Sequence, residues 1–216
     1  MFDALGRIKR FLIAKLDLQP VYELRHGGYL YDVGWIRSFL ENASVDRDGN
    51  PIPWITYPAL DFIEKRISRE FCVFEYGCGN STLWWASRVR KVISCEHDRE
   101  WHDKIKARIP ANVELIHRNL EPGGEYAKAI AGYTGAFDIA VIDGRDRVNC
   151  TRNALQALKP DGVIIWDNSD RAEYREGYEF LFANGFRKLG FVGIGPIANI
   201  RTETGVFYRP QNVMGI

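Results

Sequence analysis

The chain is predicted to fold as a doubly wound, Rossmann-like α/β domain: a mostly parallel seven-stranded sheet with an N-terminal helical cap and a C-terminal antiparallel hairpin. Three observations predict it. From Phe71 onward, short β-rich runs alternate with helical stretches. Several of those runs are apolar at consecutive positions, as strands are when helices cover both faces of a sheet. The length of 216 residues, with 46% hydrophobic side chains, suits one core. Residues 1–70 are assigned to the cap and 71–216 to the domain.

Taken in order, residues 1–16 read as a basic amphipathic helix, with Phe2, Leu5, Ile8, Leu12 and Leu16 at helical spacing and Arg7, Lys9, Arg10 and Lys15 around them. Docking on its own domain is the expectation; a membrane-surface contact or a contact with a second copy of the chain are the alternatives. The helix has no separate apolar region leading to a small-residue cleavage site, and no apolar run approaches the ~20 residues of a membrane helix. Neither a secretory signal nor a membrane span is expected. Cys72, Cys78, Cys95 and Cys150 form no Cys-x-x-Cys pair and read as reduced thiols of a cytoplasmic protein.

A helix follows over 33–40, then the turn-rich stretch 46–54 and a helix over 58–67. Strands are expected at 71–76, 91–96, 113–117, 137–142 and 162–167, with helices starting near Ser81, Asp98, Arg147 and Arg171. Residues 186–195 and 205–209 read as two more strands. The turn between them leaves no room for a crossover helix, so they should pair antiparallel. The 29 Lys+Arg against 28 Asp+Glu give a net charge of +1, which argues against an electrostatic nucleic-acid binder and leaves a small molecule or sugar as the expected partner.

Chemistry concentrates at strand ends. In the run 73–82, a strand passes into Gly77-Cys78-Gly79, and Asn80, Ser81 and Thr82 follow at once as candidate caps for a helix. Glu75, an acid at the very end of the strand, suits a cationic amino group better than a pyrophosphate. The second strand ends in Glu96, where a carboxylate can take both hydroxyls of a ribose. The third glycine of a dinucleotide fingerprint would fall at Thr82, which breaks the NAD pattern. A ligand with an amino group, a ribose and no pyrophosphate fits both acids.

On these residues the chain resembles the class I S-adenosylmethionine-dependent methyltransferases over roughly 71–209. The resemblance implies S-adenosylmethionine as cofactor, with Glu75, Gly77, Gly79, Asn80 and Ser81 at its methionine end, Glu96 with neighbouring His97 at the ribose, and Asn119 at the adenine. Tyr57 and Trp54, in a proline- and aromatic-rich stretch, are expected to lie over the cofactor or stack on a sugar; core packing is the alternative.

The fourth and fifth strands end in Asp143 and in Asp167-Asn168, on the same rim as the glycine loop. These offer hard oxygen ligands for Mg²⁺ or Mn²⁺, and look like the metal site of catechol and caffeoyl-CoA type O-methyltransferases. Asp143, Asp167 and Asn168 are therefore expected as catalytic residues and metal ligands, with Asp143 also beside the methyl group. The alternative is that Asp167-Asn168 caps a helix while Asp143 closes a turn. The lysine base of the catechol enzymes has no counterpart, its place being taken by 144–147. Arg145, Arg147 and Arg171 on that rim suit an anionic acceptor, unless Asp146 and Asp170 pair with them.

The activity expected is methyl transfer to a hydroxyl oxygen of a small or glycan-linked acceptor. An aminopropyl transferase of the spermidine synthase type and a non-enzymatic module on the same fold are the rivals.

Overall fold

The computed structural model describes residues 11–216. Ten of the positions assigned to the first helix, among them Phe2, Leu5 and Ile8, lie outside the described residues. Residues 11–15 are helical, and Phe11, Leu12 and Leu16 are exposed. Helices α1 (Gln19–His26) and α2 (Tyr29–Asp32), which the sequence reading missed, bury no residue.

The cap becomes part of the fold from α3 (Trp35–Glu41) onward. Trp35 Nε1 donates to Ala198 O at 2.8 Å and Ser38 Oγ accepts from Ile197 N at 3.0 Å, both in the loop between the last two strands. A turn closed by the Val45–Pro51 bridge leads to α4 (Tyr57–Glu64). Tyr57 N donates to Ile194 O at 3.0 Å, so the cap grips the same loop twice.

The sheet contains β1 (Cys72–Tyr76), β2 (Lys91–Glu96), β3 (Val113–His117), β4 (Phe137–Ile142), β5 (Leu158–Asp167), β6 (Arg187–Gly193) and β7 (Thr202–Tyr208), in the order β3-β2-β1-β4-β5-β7-β6. The first five strands are parallel, and β7 lies antiparallel between β5 and β6. Helices α5 (Asn80–Ala86), α6 (Arg99–Lys106), α7 (Glu125–Lys128), α8 (Arg147–Ala157) and α9 (Arg175–Ala183) connect them. The α9 start differs from the expected Arg171, because a short 3-10 turn over Ala172–Tyr174 comes first.

Alternation along the strands builds two cores. Phe74, Tyr76, Ile93 and Cys95 face Tyr126, Cys150 and Trp166; Val73, Val92, Ile139 and Val141 face Trp84, Trp85, Leu60 and Ile63. Glu75 and Ser94 share the second face by this alternation. The four cysteines are unpaired. No described helix is long and apolar enough to cross a membrane.

Candidate functional site

The order reverses between β1 and β4, and the carboxyl ends of β1, β2, β4 and β5 form one rim at that switch point. The loop after β1 is shaped by glycine. Gly77 has φ +95°, and the Cβ of any other residue there would point at Gly144 Cα, 3.6 Å away. A Cβ on Gly144 would land on the Tyr126 hydroxyl, so the loops after β1 and β4 touch because Gly144 is bare, while Gly77 is needed for its φ.

Every N–H of the Gly77-Cys78-Gly79 turn is used internally. Gly77 N donates to Cys95 O at 2.9 Å, Cys78 N to Glu96 Oε2 at 3.1 Å and Gly79 N to Thr82 Oγ1 at 3.0 Å. A pyrophosphate needs such donors, and these three are already spent. The carbonyls of Gly77 and Gly79, as acceptors, suit a cation.

Beneath the turn, Glu75 is enclosed: its Oε2 accepts from Thr82 Oγ1 at 2.6 Å and Ser94 Oγ at 2.9 Å. The register that pairs Glu75 with Ser94 sets this contact. Burial pushes the Glu75 carboxyl up to about 7, with Glu96 adding to the rise and hydrogen bonds from Ser81, Thr82 and Ser94 working against it. Glu96 accepts from Cys78 N and from the backbone N–H groups of His97 (2.8 Å) and Asp98 (2.9 Å). That fills three of its roughly four acceptor positions. The His97 ring is partly exposed, with Nδ1 2.8 Å from Glu96 Oε1.

Two expected cofactor residues are engaged elsewhere. The Asn80 side chain donates to Ser44 O at 2.8 Å and accepts from Arg108 at 3.3 Å, tying α5 to the cap. Tyr57, expected over the cofactor, is 1% exposed and packed in the second core edge-on to Tyr29. The correction has a simple cause, since its α4 neighbours Ala59, Leu60 and Ile63 are all buried in the same core. Asn119 is exposed beyond β3, and Trp54 is half exposed beside buried Ile55. Trp101, absent from the expected set, donates from Nε1 to Cys78 O at 2.7 Å and lies against Gly79. Its place after an N-capping Asp98 was the available signal.

At the other end of the rim, Ile142 pairs with Trp166, so Asp143 and Asp167 project from adjacent strand ends. Asp167 is buried and its Oδ1 accepts from Thr204 Oγ1 at 2.6 Å; Asn168 Nδ2 donates to Thr202 Oγ1 at 3.3 Å. Asp143 is a quarter exposed, and Arg147 Nη2 donates to its Oδ1 at 3.1 Å. Loss of water and the neighbouring Asp167 push the Asp143 carboxyl well above the usual carboxylate range, with Arg147 and Arg171 opposing. Burial raises Asp167 too, against the Thr204 hydrogen bond and Arg147.

Arg147 is not the free rim cation expected from the sequence. It is buried, with Nε donating to Gly144 O at 3.0 Å, Nη2 to Asp143 O at 3.0 Å, and Nη1 to Asp167 O by a short bond. Arg145 and Arg171 are exposed. The acids expected to neutralise them are taken: Asp146 accepts from Gly123 N (2.7 Å) and Asn149 (2.8 Å), and Asp170 from Thr202 Oγ1 and Glu203 N, both at 3.1 Å. Among the described residues, no group of three or more His, Cys, Asp or Glu side chains is arranged to hold a metal ion. In the donor set Asp143, Asp167 and Asn168, one oxygen of each carboxylate is already engaged, Asp143 Oδ1 by Arg147 and Asp167 Oδ1 by Thr204, and a guanidinium lies where a divalent cation would meet like charge. A separate open depression of about 530 Å³, lined by Cys72, Arg90, Lys91, Asn112 and Glu114, lies at the opposite end of the strands.

The family model described as "Methyltransferase domain" matches residues 74–169. No curated protein sequence matches the chain. Among solved structures it is similar to precorrin-6y C5,15-methyltransferase from Geobacter metallireducens GS-15, at TM-score 0.58 and 14% identity over 77% of this chain and 97% of that one. It is also similar to precorrin 8w decarboxylase from Methanobacterium thermoautotrophicum, at TM-score 0.53 and 20% identity over 78% and 97%. Spermidine synthase from Thermotoga maritima matches at TM-score 0.51 and 14% identity, over 68% of this chain and 55% of that one. Identities this low establish the fold that the three share, and no common substrate.

Proposed function

We propose that the chain is a class I, S-adenosylmethionine-dependent methyltransferase, a reading supported by the methyltransferase domain model over residues 74–169, and that it moves a methyl group from S-adenosylmethionine to a hydroxyl oxygen of a small, anionic or sugar acceptor. The observation that carries the cofactor half is the glycine turn, whose N–H groups are all spent, one of them on Glu96. The cofactor supplies a sulfonium-activated methyl carbon. The protein's part is to bring an acceptor oxygen in line with it and remove a proton.

In this reading Gly77 and Gly79 receive the ammonium group through their carbonyls, Glu75 supports the turn from below, and Glu96 takes the ribose through its remaining acceptor position. Asp143 is the base. It is the more accessible of the two rim carboxylates, and its raised pKa makes it a better proton acceptor than an ordinary aspartate. Arg145 and Arg171 favour an acceptor carrying a carboxylate or phosphate, and Trp54 offers a face for a sugar ring. The same arginines speak against a polyamine acceptor, and so against aminopropyl transfer.

Calorimetry tests the cofactor half: S-adenosylhomocysteine should bind, NAD should not, and Glu96→Ala should weaken binding by about ten- to a hundredfold. Binding of NAD alone would sink the reading. With an acceptor recovered by screening sugar acids, Asp143→Asn should lower kcat by about 10²–10⁴-fold at unchanged cofactor affinity. Undiminished turnover would remove Asp143 as the base.

A further inference from the structure

Asp143, Asp167 and Asn168 invite a divalent cation by residue type, but the Arg147 guanidinium already bonds Asp143 Oδ1 and the Asp167 carbonyl at these two strand ends. We propose that the Arg147 guanidinium is a built-in cation that takes the place of a divalent metal at the acceptor end of the cleft. What it would do for catalysis rests on the methyl-transfer reading; its occupation of the place rests on geometry alone.

Four hydrogen bonds fix the group. They run to the carbonyl oxygens of Asp143, Gly144 and Asp167 and to Asp143 Oδ1, so one planar cation gathers oxygens from the ends of both β4 and β5. The Tyr174 ring lies 5.4 Å from the guanidinium carbon. Arg147 opens α8, a buried and rigidly anchored position.

A metal ion would share these strand ends with the guanidinium. Hard cations take carboxylate and carbonyl oxygens, and here one of the two carboxylates faces Arg147 while the other accepts from Thr204. Asn168 is held by its amide nitrogen to Thr202, in the left-handed region at φ +54°. A divalent ion beside the guanidinium would also meet fixed like charge in a poorly hydrated place, which weakens its binding by at least about a hundredfold. Arg147 touches neither cofactor nor acceptor in this account and is a positioning residue: it orients the Asp143 carboxylate and ties the two strand ends together.

The test is Mn²⁺ binding followed by electron paramagnetic resonance on the S-adenosylhomocysteine-loaded protein, in wild type, Asp143→Asn, Arg147→Lys, Arg147→Gln and the Asp143→Asn/Arg147→Gln double variant. The wild type should show no Mn²⁺ that depends on Asp143, and Arg147→Lys, which keeps the charge, should behave alike. Arg147→Gln should gain one Mn²⁺ site at least about tenfold tighter than any in wild type, lost again in the double variant. Stoichiometric Mn²⁺ in wild type that Asp143→Asn abolishes would overturn the proposal. So would an Arg147→Gln protein that holds S-adenosylhomocysteine yet gains no site. Should Arg147→Gln fail to fold, the wild type and Asp143→Asn comparison decides alone. Failure of the methyl-transfer reading would appear separately, as absent S-adenosylhomocysteine binding in wild type.

Discussion

Glu75 sits on the sheet face that packs Trp84 and Trp85, and keeping a carboxylate there has a pH-dependent cost. Its carboxyl is pushed up to about 7 from an ordinary value of 4.5. The folded state therefore holds the proton more tightly than the unfolded chain. The stability this gives is complete below about 4.5 and is lost as pH rises toward 7. At about 1.4 kcal/mol per unit, the loss approaches about 3 kcal/mol near pH 8. Glu75→Gln, neutral throughout, should be nearly as stable as wild type near pH 4.5 and up to about 3 kcal/mol more stable near pH 8 in urea unfolding. A difference that does not change with pH would contradict the assignment. The acid itself was legible, because its place just before Gly77 is written in the chain. Its partners were not, since Thr82 and Ser94 reach it across a turn and a neighbouring strand.

The β6–β7 hairpin does more than finish the sheet. Thr204 on β7 donates to Asp167 at 2.6 Å and accepts from Thr56 N at 3.0 Å, and Thr56 Oγ1 in turn donates to Phe191 O at 3.0 Å. One hydroxyl thus links the cap, the hairpin and the end of β5. Thr204→Val keeps the shape and removes both bonds, leaving a buried carboxylate oxygen and a backbone N–H unpaired. It should cost about 2–4 kcal/mol by denaturant unfolding and raise the Asp167 pKa further, measurable by NMR titration. A loss under about 0.5 kcal/mol would show the chain to be incidental. The hairpin was expected from the short turn before residue 205. That it reaches back to Asp167 follows from the Asp167–Thr204 pairing, which no local pattern contains. The same holds for α9, displaced to Arg175 because Tyr174 and Tyr178 pack on Trp166.

Across the whole molecule, the described chain before Gly28 contributes no buried residue, while Val33 and Trp35 already pack on the second core. A protein beginning at Gly27 should keep its thermal midpoint within about 2 °C and its S-adenosylhomocysteine affinity. A larger drop would mean that the first residues do pack on the domain. The parallel alternation, the strand-end acids Glu75 and Glu96 and the glycine turn could be read from the sequence, because strand period, strand ends and φ-permissive residues are local properties. The roles of Arg147, Thr204, Trp101 and Tyr57 were decided only when the sheet brought distant strand ends together. Asp143 and Asp167 look like metal ligands as residue types, but the Arg147 guanidinium, positioned by the start of α8, bonds the Asp143 carboxylate and the Asp167 carbonyl, while Thr204 bonds the Asp167 carboxylate. Chain order puts two carboxylates on one rim, and only packing determines which partners they face.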